Sequence, residues 1–218
     1  MKLVSQIWND LGSYRFVREF LLALGAGLVL LMCYVGYDYY AASREAKAHR
    51  AFAEGLELFE QAKASENSQE STQRRQIRWQ EAEAAFKIGY KQFSSSHLAP
   101  FFLGYQSEAL LKLGQTQEAI ALLDAMLSSL GKSSPFYGPY AVKRALMKSD
   151  LSELKKLADD TTLPSQDLAL YQLGEYYWAH NNPAFAQDAW KKLRDIGQNK
   201  TPPVPSPWAQ LVASRLEA

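Results

Sequence analysis

The sequence is poor in the residues that reactive and disulfide-stapled proteins depend on. It has one cysteine and three histidines in 218 residues, so an intrachain disulfide and a Cys-based metal site are both excluded. Charge of one sign is also lacking, with 24 Lys plus Arg against 23 Asp plus Glu and a net charge of +1. A nucleic-acid binder would show a clustered basic surface. The nearest run here, Arg74-Arg75-Gln76-Ile77-Arg78, is interrupted and followed by Glu81 and Glu83, the pattern of a solvated helix start. Alternation of apolar and polar residues with period two is almost absent past Asp38, which excludes a sheet-based core.

Catalytic constellations are missing as well. Gly131-Lys132-Ser133 has the form of the end of a phosphate-binding loop, but the glycine needed five residues earlier is Met126, and no strand pattern precedes it. His49, His97 and His180 are far apart, with no second histidine four residues away as a zinc-protease helix requires. In the pairs Glu81/Glu83 and Asp159/Asp160 the two carboxylates diverge on a helix instead of facing each other. The chain therefore reads as a non-enzyme without cofactor or metal. An envelope hydrolase with a dispersed site is the one enzymatic alternative. Asn199-Lys200-Thr201 is a formal glycosylation acceptor, relevant only in a eukaryotic secretory pathway.

Against these absences stands one long apolar run. Phe20 to Tyr37 is eighteen residues without a charge, between Glu19 and Asp38. As a helix it is about 27 Å long, the thickness of a hydrocarbon core and more than a signal-peptide core needs. The expected layout is a cytoplasmic segment 1–19, a transmembrane helix 20–40 and a helical domain 41–218. Tyr34, Tyr37, Tyr39 and Tyr40 mark a membrane interface at the C-terminal end of the run. Arg15 and Arg18 before it and Arg44, Lys47 and Arg50 after it leave orientation undecided by charge. The orientation expected has the N-terminus inside and the domain outside, since long domains translocate regardless of charge. Lipid attachment at Cys33 stays open, though Met32 stands where a small residue is wanted and the apolar run continues beyond it. Ala41-Ala42-Ser43 could mimic a cleavage site, and Ala23 with Gly27 forms a small-xxx-small pair that would let another helix approach.

Past Asp38, apolar residues recur at three and four, and turn residues separate segments of helix length. A first helix is drawn from about Arg44 to Ala64, with Ala48, Phe52, Gly55, Leu56 and Phe59 on one face, then a loop from Ser65 to Thr72. A second runs from about Arg74 to Gln92, carrying Trp79, Ala82, Phe86 and Tyr90. The next segment, capped by Ser96 with Pro100 in its first turn, ends at Gly114, and Gln115 to Leu130 returns. Tyr140 to Met147 and Leu151 to Ala158, capped by Asp150 or Ser152, make an irregular third pair. Gln166 to His180 and Ala184 to Ile196, around Asn181-Asn182-Pro183, make the best-formed one. After TPPVPSP, Pro207 to Leu216 reads as a short capping helix with Trp208, Leu211, Val212 and Leu216 on one face. The fold class expected is all-α.

Hairpins of about 34 residues with small residues where helices cross and large ones where they nest resemble tetratricopeptide repeats. In the last hairpin Leu170, Leu173, Gly174 and Tyr177 match the first-helix set, and Ala186 and Trp190 match the second. In the preceding match Leu103, Ser107 and Leu110 take the first-helix positions, Gly114 the turn, and Ala119 and Leu123 the return. Gly55, Ala82 and Phe86 match in the first hairpin if the loop after its first helix is an insertion of about fifteen residues. With its single-pass anchor, the chain resembles the YfgM-like family of bacterial envelope proteins, ancillary to the Sec translocon. The resemblance implies an inner-membrane protein whose right-handed hairpin stack lies in the periplasm as a scaffold or chaperone-like adaptor. It also implies partners among membrane-protein machinery or exported polypeptides.

In a curved stack the first helices line the inner face. The register places Phe101, Glu108 and Leu111 there in the second hairpin, and Leu168, Tyr171, Glu175 and Trp178 in the fourth. An aromatic and apolar groove with a few carboxylates suits an amphipathic or extended segment. Two alternatives stay open: that the hairpins dock permanently in a membrane complex, and that some of these side chains are core, with Trp178 packing on the terminal helix.

Overall fold

The computed structural model describes residues 15–68, 70–198 and 206–216. Most of the expected cytoplasmic segment, the Asn199 acceptor and nearly all of the spacer TPPVPSP lie outside the described residues. Among the described residues there are nine α-helices and no strand. The chain forms two compact units, residues 1–49 and 50–218.

The first unit holds the opening part of helix α1 (Arg15–Glu66), which is 52 residues long. Every large apolar side chain from Phe20 to Tyr40 is exposed, from 45% at Leu21 to 79% at Tyr39, and Cys33 is exposed with them. A helix that is apolar all round and uncovered by its own chain needs another apolar medium around it. It is the one helix among the described residues long and apolar enough to cross a membrane. The separate start expected near Arg44 does not occur, and α1 continues without a break. Between Tyr37 and Ala48 the sequence DYYAASREAKA holds neither proline nor glycine, and its alanines and long side chains extend a formed helix at little cost.

The second unit is a series of αα-hairpins. The C-terminal part of α1 pairs with α2 (Thr72–Gln92), α3 (Ala99–Lys112) with α4 (Thr116–Ser129), and α5 (Tyr137–Lys148) with α6 (Leu151–Asp159). Helix α7 (Gln166–Ala179) pairs with α8 (Pro183–Gln198), and α9 (Pro207–Leu216) caps the end. Three of the turns are the same Schellman turn. Gln115 N–H donates to Leu110 O at 2.9 Å and Gly114 N–H to Leu111 O at 3.0 Å. Asp150 to Ala145 and Asn182 to Tyr177 repeat the longer bond at 2.9 and 3.0 Å. Each turn places one residue in the left-handed region: Gly114 at φ 79°, Ser149 at 53° and Asn181 at 56°. Only the first has the residue that adopts this conformation without a Cβ penalty.

Two local expectations are corrected and an open alternative is settled. Ser71 caps α2, accepting from Arg74 N–H at 3.4 Å, so α2 begins inside the stretch assigned to a loop. Asp150, not Ser152, caps α6; its Oδ1 accepts from Glu153 N–H at 3.0 Å and from the Ser152 hydroxyl at 2.8 Å. Ser96 lies in the turn before α3, its Oγ accepting from Leu98 N–H at 3.0 Å, while Pro100 occupies the first turn as expected.

The first hairpin differs more. Its extra fifteen residues are not a loop: α1 runs eleven residues past Gly55 where α3 runs five past Ser107, and α2 begins ten before Ala82 where α4 begins three before Ala119. Both helices are longer, and the hairpin is sealed by rings. Phe59 meets Trp79 edge-on at 5.1 Å, Phe86 stacks on Tyr105 at 5.2 Å, and Phe52 meets Phe102 at 5.2 Å. Each fully buried ring of this kind contributes about 1.5–3 kcal/mol. A second core joins α5 to α9 through Val142, Leu154, Leu170, Trp190, Leu193 and Val212.

Candidate functional site

The three left-handed turn residues set a common register for hairpins two to four. Seven residues before each lie Ser107, Val142 and Gly174, and five after each lie Ala119, Leu154 and Ala186. All six are buried. Ser107 donates its hydroxyl to Ala119 O at 2.9 Å, which satisfies the one polar group placed at a crossing. Nine residues after each turn come Leu123, Ala158 and Trp190, also buried. Trp190 lies so close to Gly174 that a Cβ there would overlap the indole. In the first hairpin a Cβ on Gly55 would stand 2.8 Å from Phe86 Cε1, and Ala82 is fully buried beside them. Tyr177 is half-buried, tilted against Phe185 at 5.3 Å with Lys155 Nζ 5.6 Å from its ring centre.

The same register places three rows along the first helices and their N-terminal ends, Phe136 being the N-cap of α5. Phe101, Phe136 and Leu168 form one, Glu108, Lys143 and Glu175 a second, and Leu111, Leu146 and Trp178 a third. Neighbouring hairpins touch along these rows. The Phe101 and Phe136 rings meet edge-on at 4.8 Å, and Lys143 Nζ lies 3.1 Å from Glu108 Oε2. Much of the third row is open to solvent: Leu146 is 37% and Trp178 50% exposed. Phe136, Lys143 and Leu146 were not legible in sequence, because the turn that fixes their register is Ser149 and not a glycine.

Electrostatics follow from this arrangement. Burial, then Tyr105 and Glu108, push the Tyr140 hydroxyl up to about 12. Tyr105 is raised for similar reasons, by burial and by Glu108 and Glu60. Both tyrosines therefore stay neutral donors and acceptors at any physiological pH. Behind them Arg144 bridges Asp124, at 2.8 Å, and Glu153, and Lys148 reaches the same Asp124 at 3.1 Å. Burial opposes the Arg144 charge, but its two carboxylate partners outweigh it and raise its pKa. This is a clamp between hairpins two and three.

In the last hairpin the predicted residues divide. Tyr171 lies under α9, its ring 5.1 Å from that of Trp208. Glu175 pairs with Arg215, and the Arg215 guanidinium sits 5.4 Å above the Trp190 ring. Leu168 packs at the edge of the core. Trp178 is half exposed and tilted against Trp190 at 5.7 Å. Position 178 falls in the last turn of α7, whereas α9 meets Tyr171 and Glu175.

Elsewhere the surface offers open clefts. One of about 410 Å³ is floored by Leu170, Leu173 and Tyr177 and rimmed by Lys155, Asp159, Asp188 and Lys192. Another of about 280 Å³ lies where Lys112 pairs with Glu66 at 2.9 Å beside Trp79 and Arg75. His180 ends α7 with Nδ1 2.7 Å from Tyr176 O. Among the described residues no group of three or more His, Cys, Asp or Glu could hold a metal ion.

No protein-family model and no curated protein matches the chain. Among solved structures it is similar to a tetratricopeptide repeat protein from Parabacteroides merdae, at 23% identity and a TM-score of 0.45, over 75% of this chain and 59% of that one. The chain thus spans less than two thirds of that protein's length.

Proposed function

We propose that this chain is a membrane-anchored scaffold whose hairpin stack binds protein segments close to the bilayer. The observation that carries the reading is the uncovered apolar run from Phe20 to Tyr37 in the same chain as a stack of packed hairpins. The run asks for a lipid medium. The stack offers ridges, rows and ion pairs, and its described side chains form no reactive constellation. An anchor then supplies effective concentration at the membrane instead of chemistry.

Binding is assigned to the face built by Phe101, Glu108, Leu111, Leu168, Tyr171, Glu175 and Trp178, joined by Phe136, Lys143 and Leu146. Its chemistry, exposed apolar side chains flanking a charged row, suits an amphipathic protein segment. We further propose, on the resemblance to YfgM-like proteins, that the anchor lies in a bacterial inner membrane with the stack in the periplasm. Its partners there would be exported polypeptides or the machinery that moves them.

Copurification from mild detergent tests both halves. The full-length chain is expected to recover a discrete protein partner that a chain lacking residues 1–40 recovers poorly. Equal recovery by both removes the role of the anchor, and recovery by neither overturns the scaffold reading.

A further inference from the structure

We infer that α9 is a built-in occupant of the binding face of the last hairpin, and that this face accepts in its place an amphipathic helix carrying an aromatic side chain and, seven residues later, a basic one. The inference rests on the protein-binding reading above and names the partner chemistry for one part of that face.

The warrant is how α9 sits. Trp208, Val212 and Arg215 are spaced i, i+4 and i+7 and so lie on one side of the helix. Trp208 covers the Tyr171 ring, Val212 is fully buried, and Arg215 engages both the Glu175 carboxylate and the face of Trp190. An aromatic anchor, an aliphatic plug and a cation answered by a carboxylate and a ring are the parts of segment recognition. The opposite side of α9 is left open, with Gln210 and Ala213 exposed, and Leu211 at the flank of the stripe is 58% exposed.

The preceding hairpins show why the face wants this chemistry. Glu108 is answered by Lys143 of the next first helix, and Phe101 by Phe136. At Glu175 and Tyr171 it is α9 that supplies the base and the ring. Any helix with the same three side chains satisfies the same groups. Because α9 follows α8 after only eight residues of chain, it competes at high effective concentration, and a second segment meets only the open fraction of the face.

The probe is a fluorescently labelled synthetic peptide of residues 206–216, added to the full-length chain in detergent. Trp208→Ala with Arg215→Ala, which weakens α9 in place, is expected to raise peptide affinity at least tenfold over the unaltered chain. Adding Glu175→Arg should abolish that binding, and a peptide carrying Arg215→Glu should restore it. Far-UV circular dichroism checks the fold, and Arg215→Ala alone, expected to give a smaller gain in the same direction, serves if the double variant loses helicity. Folded variants that bind no peptide, or bind it regardless of the charge at 175, overturn the inference. That failure is separate from failure of the scaffold reading, since a copurified partner can persist when the peptide does not bind. Peptide exchange without any copurified partner would uphold the α9 inference alone.

Discussion

In the first hairpin Phe86 fills the crossing under Gly55 among the rings of Phe52, Phe59, Trp79, Phe102 and Tyr105, whereas in the last the single indole of Trp190 fills it under Gly174, with Arg215 of α9 above. Both crossings bring a glycine against a ring, but the load is spread in one and concentrated in the other. Spread packing has neighbours that shift into a gap. Concentrated packing makes that crossing depend on Trp190 and on the Arg215 and Trp178 side chains against it, which places the exchangeable part of the stack at α9.

The largest expected effect is at position 190. Trp190→Ala is expected to cost about 3–5 kcal/mol and Phe86→Ala the lower part of that range, since Phe52 and Tyr105 can relax into the space. Hydrogen exchange on the full-length chain in detergent reads this locally, and deprotection should be confined to α7–α9 for the first variant. The reverse order would break the comparison. Trp190→Phe should be far milder than Ala, because the indole Nε1 is buried without a partner and its loss costs no hydrogen bond.

The glycines come next. An alanine gains ~1 kcal/mol over glycine in a helix. At Gly55 that gain offsets a contact at 2.8 Å with the edge of Phe86, so Gly55→Ala should be near neutral in thermal unfolding. At Gly174 the overlap with Trp190 is deeper, and Gly174→Ala should destabilise by about 1–2 kcal/mol net. Equal effects would mean that the two crossings are packed alike.

The middle hairpin serves as a control without a ring at its crossing. The Asp150 carboxyl is held below its ordinary range by the Glu153 N–H and the Ser152 hydroxyl. Its folded pKa is thus lower than its unfolded one, so its contribution is complete above about pH 4 and is lost as pH falls through the folded value. Asp150→Ala should lower the melting temperature at neutral pH and reduce the further drop below pH 4. The smallest effect is a gain: Ser149→Gly removes a Cβ from a left-handed turn and should stabilise by about 0.5–1 kcal/mol.

Hairpins two and four were legible because Gly114 and Asn181-Asn182-Pro183 punctuate them with residues chosen for turn geometry. The third looked irregular because Ser149 holds the same turn without a glycine's signal, which hid Phe136, Lys143 and Leu146. The extra length of the first hairpin was misplaced because SENSQEST has loop composition, although Ser71 within it is a helix cap. Spacing alone puts Tyr171 and Glu175 on the first helix of the last hairpin, but not their engagement by Trp208 and Arg215. Those contacts join residues about forty apart through a proline-rich connection; the apolar periodicity of α9 marks Trp208 and Val212 but also the exposed Leu211, and gives no sign of Arg215.

The central claim is that one face of the stack binds protein segments in the cell. Site-specific photo-crosslinking measures it most directly, with a photoreactive amino acid at Leu146 and, as control, at Ile88 of α2, which is 54% exposed and outside the three rows. Discrete crosslinks to protein from position 146 and none from position 88 are predicted. Crosslinks of equal strength from both, or none from 146, would contradict the claim.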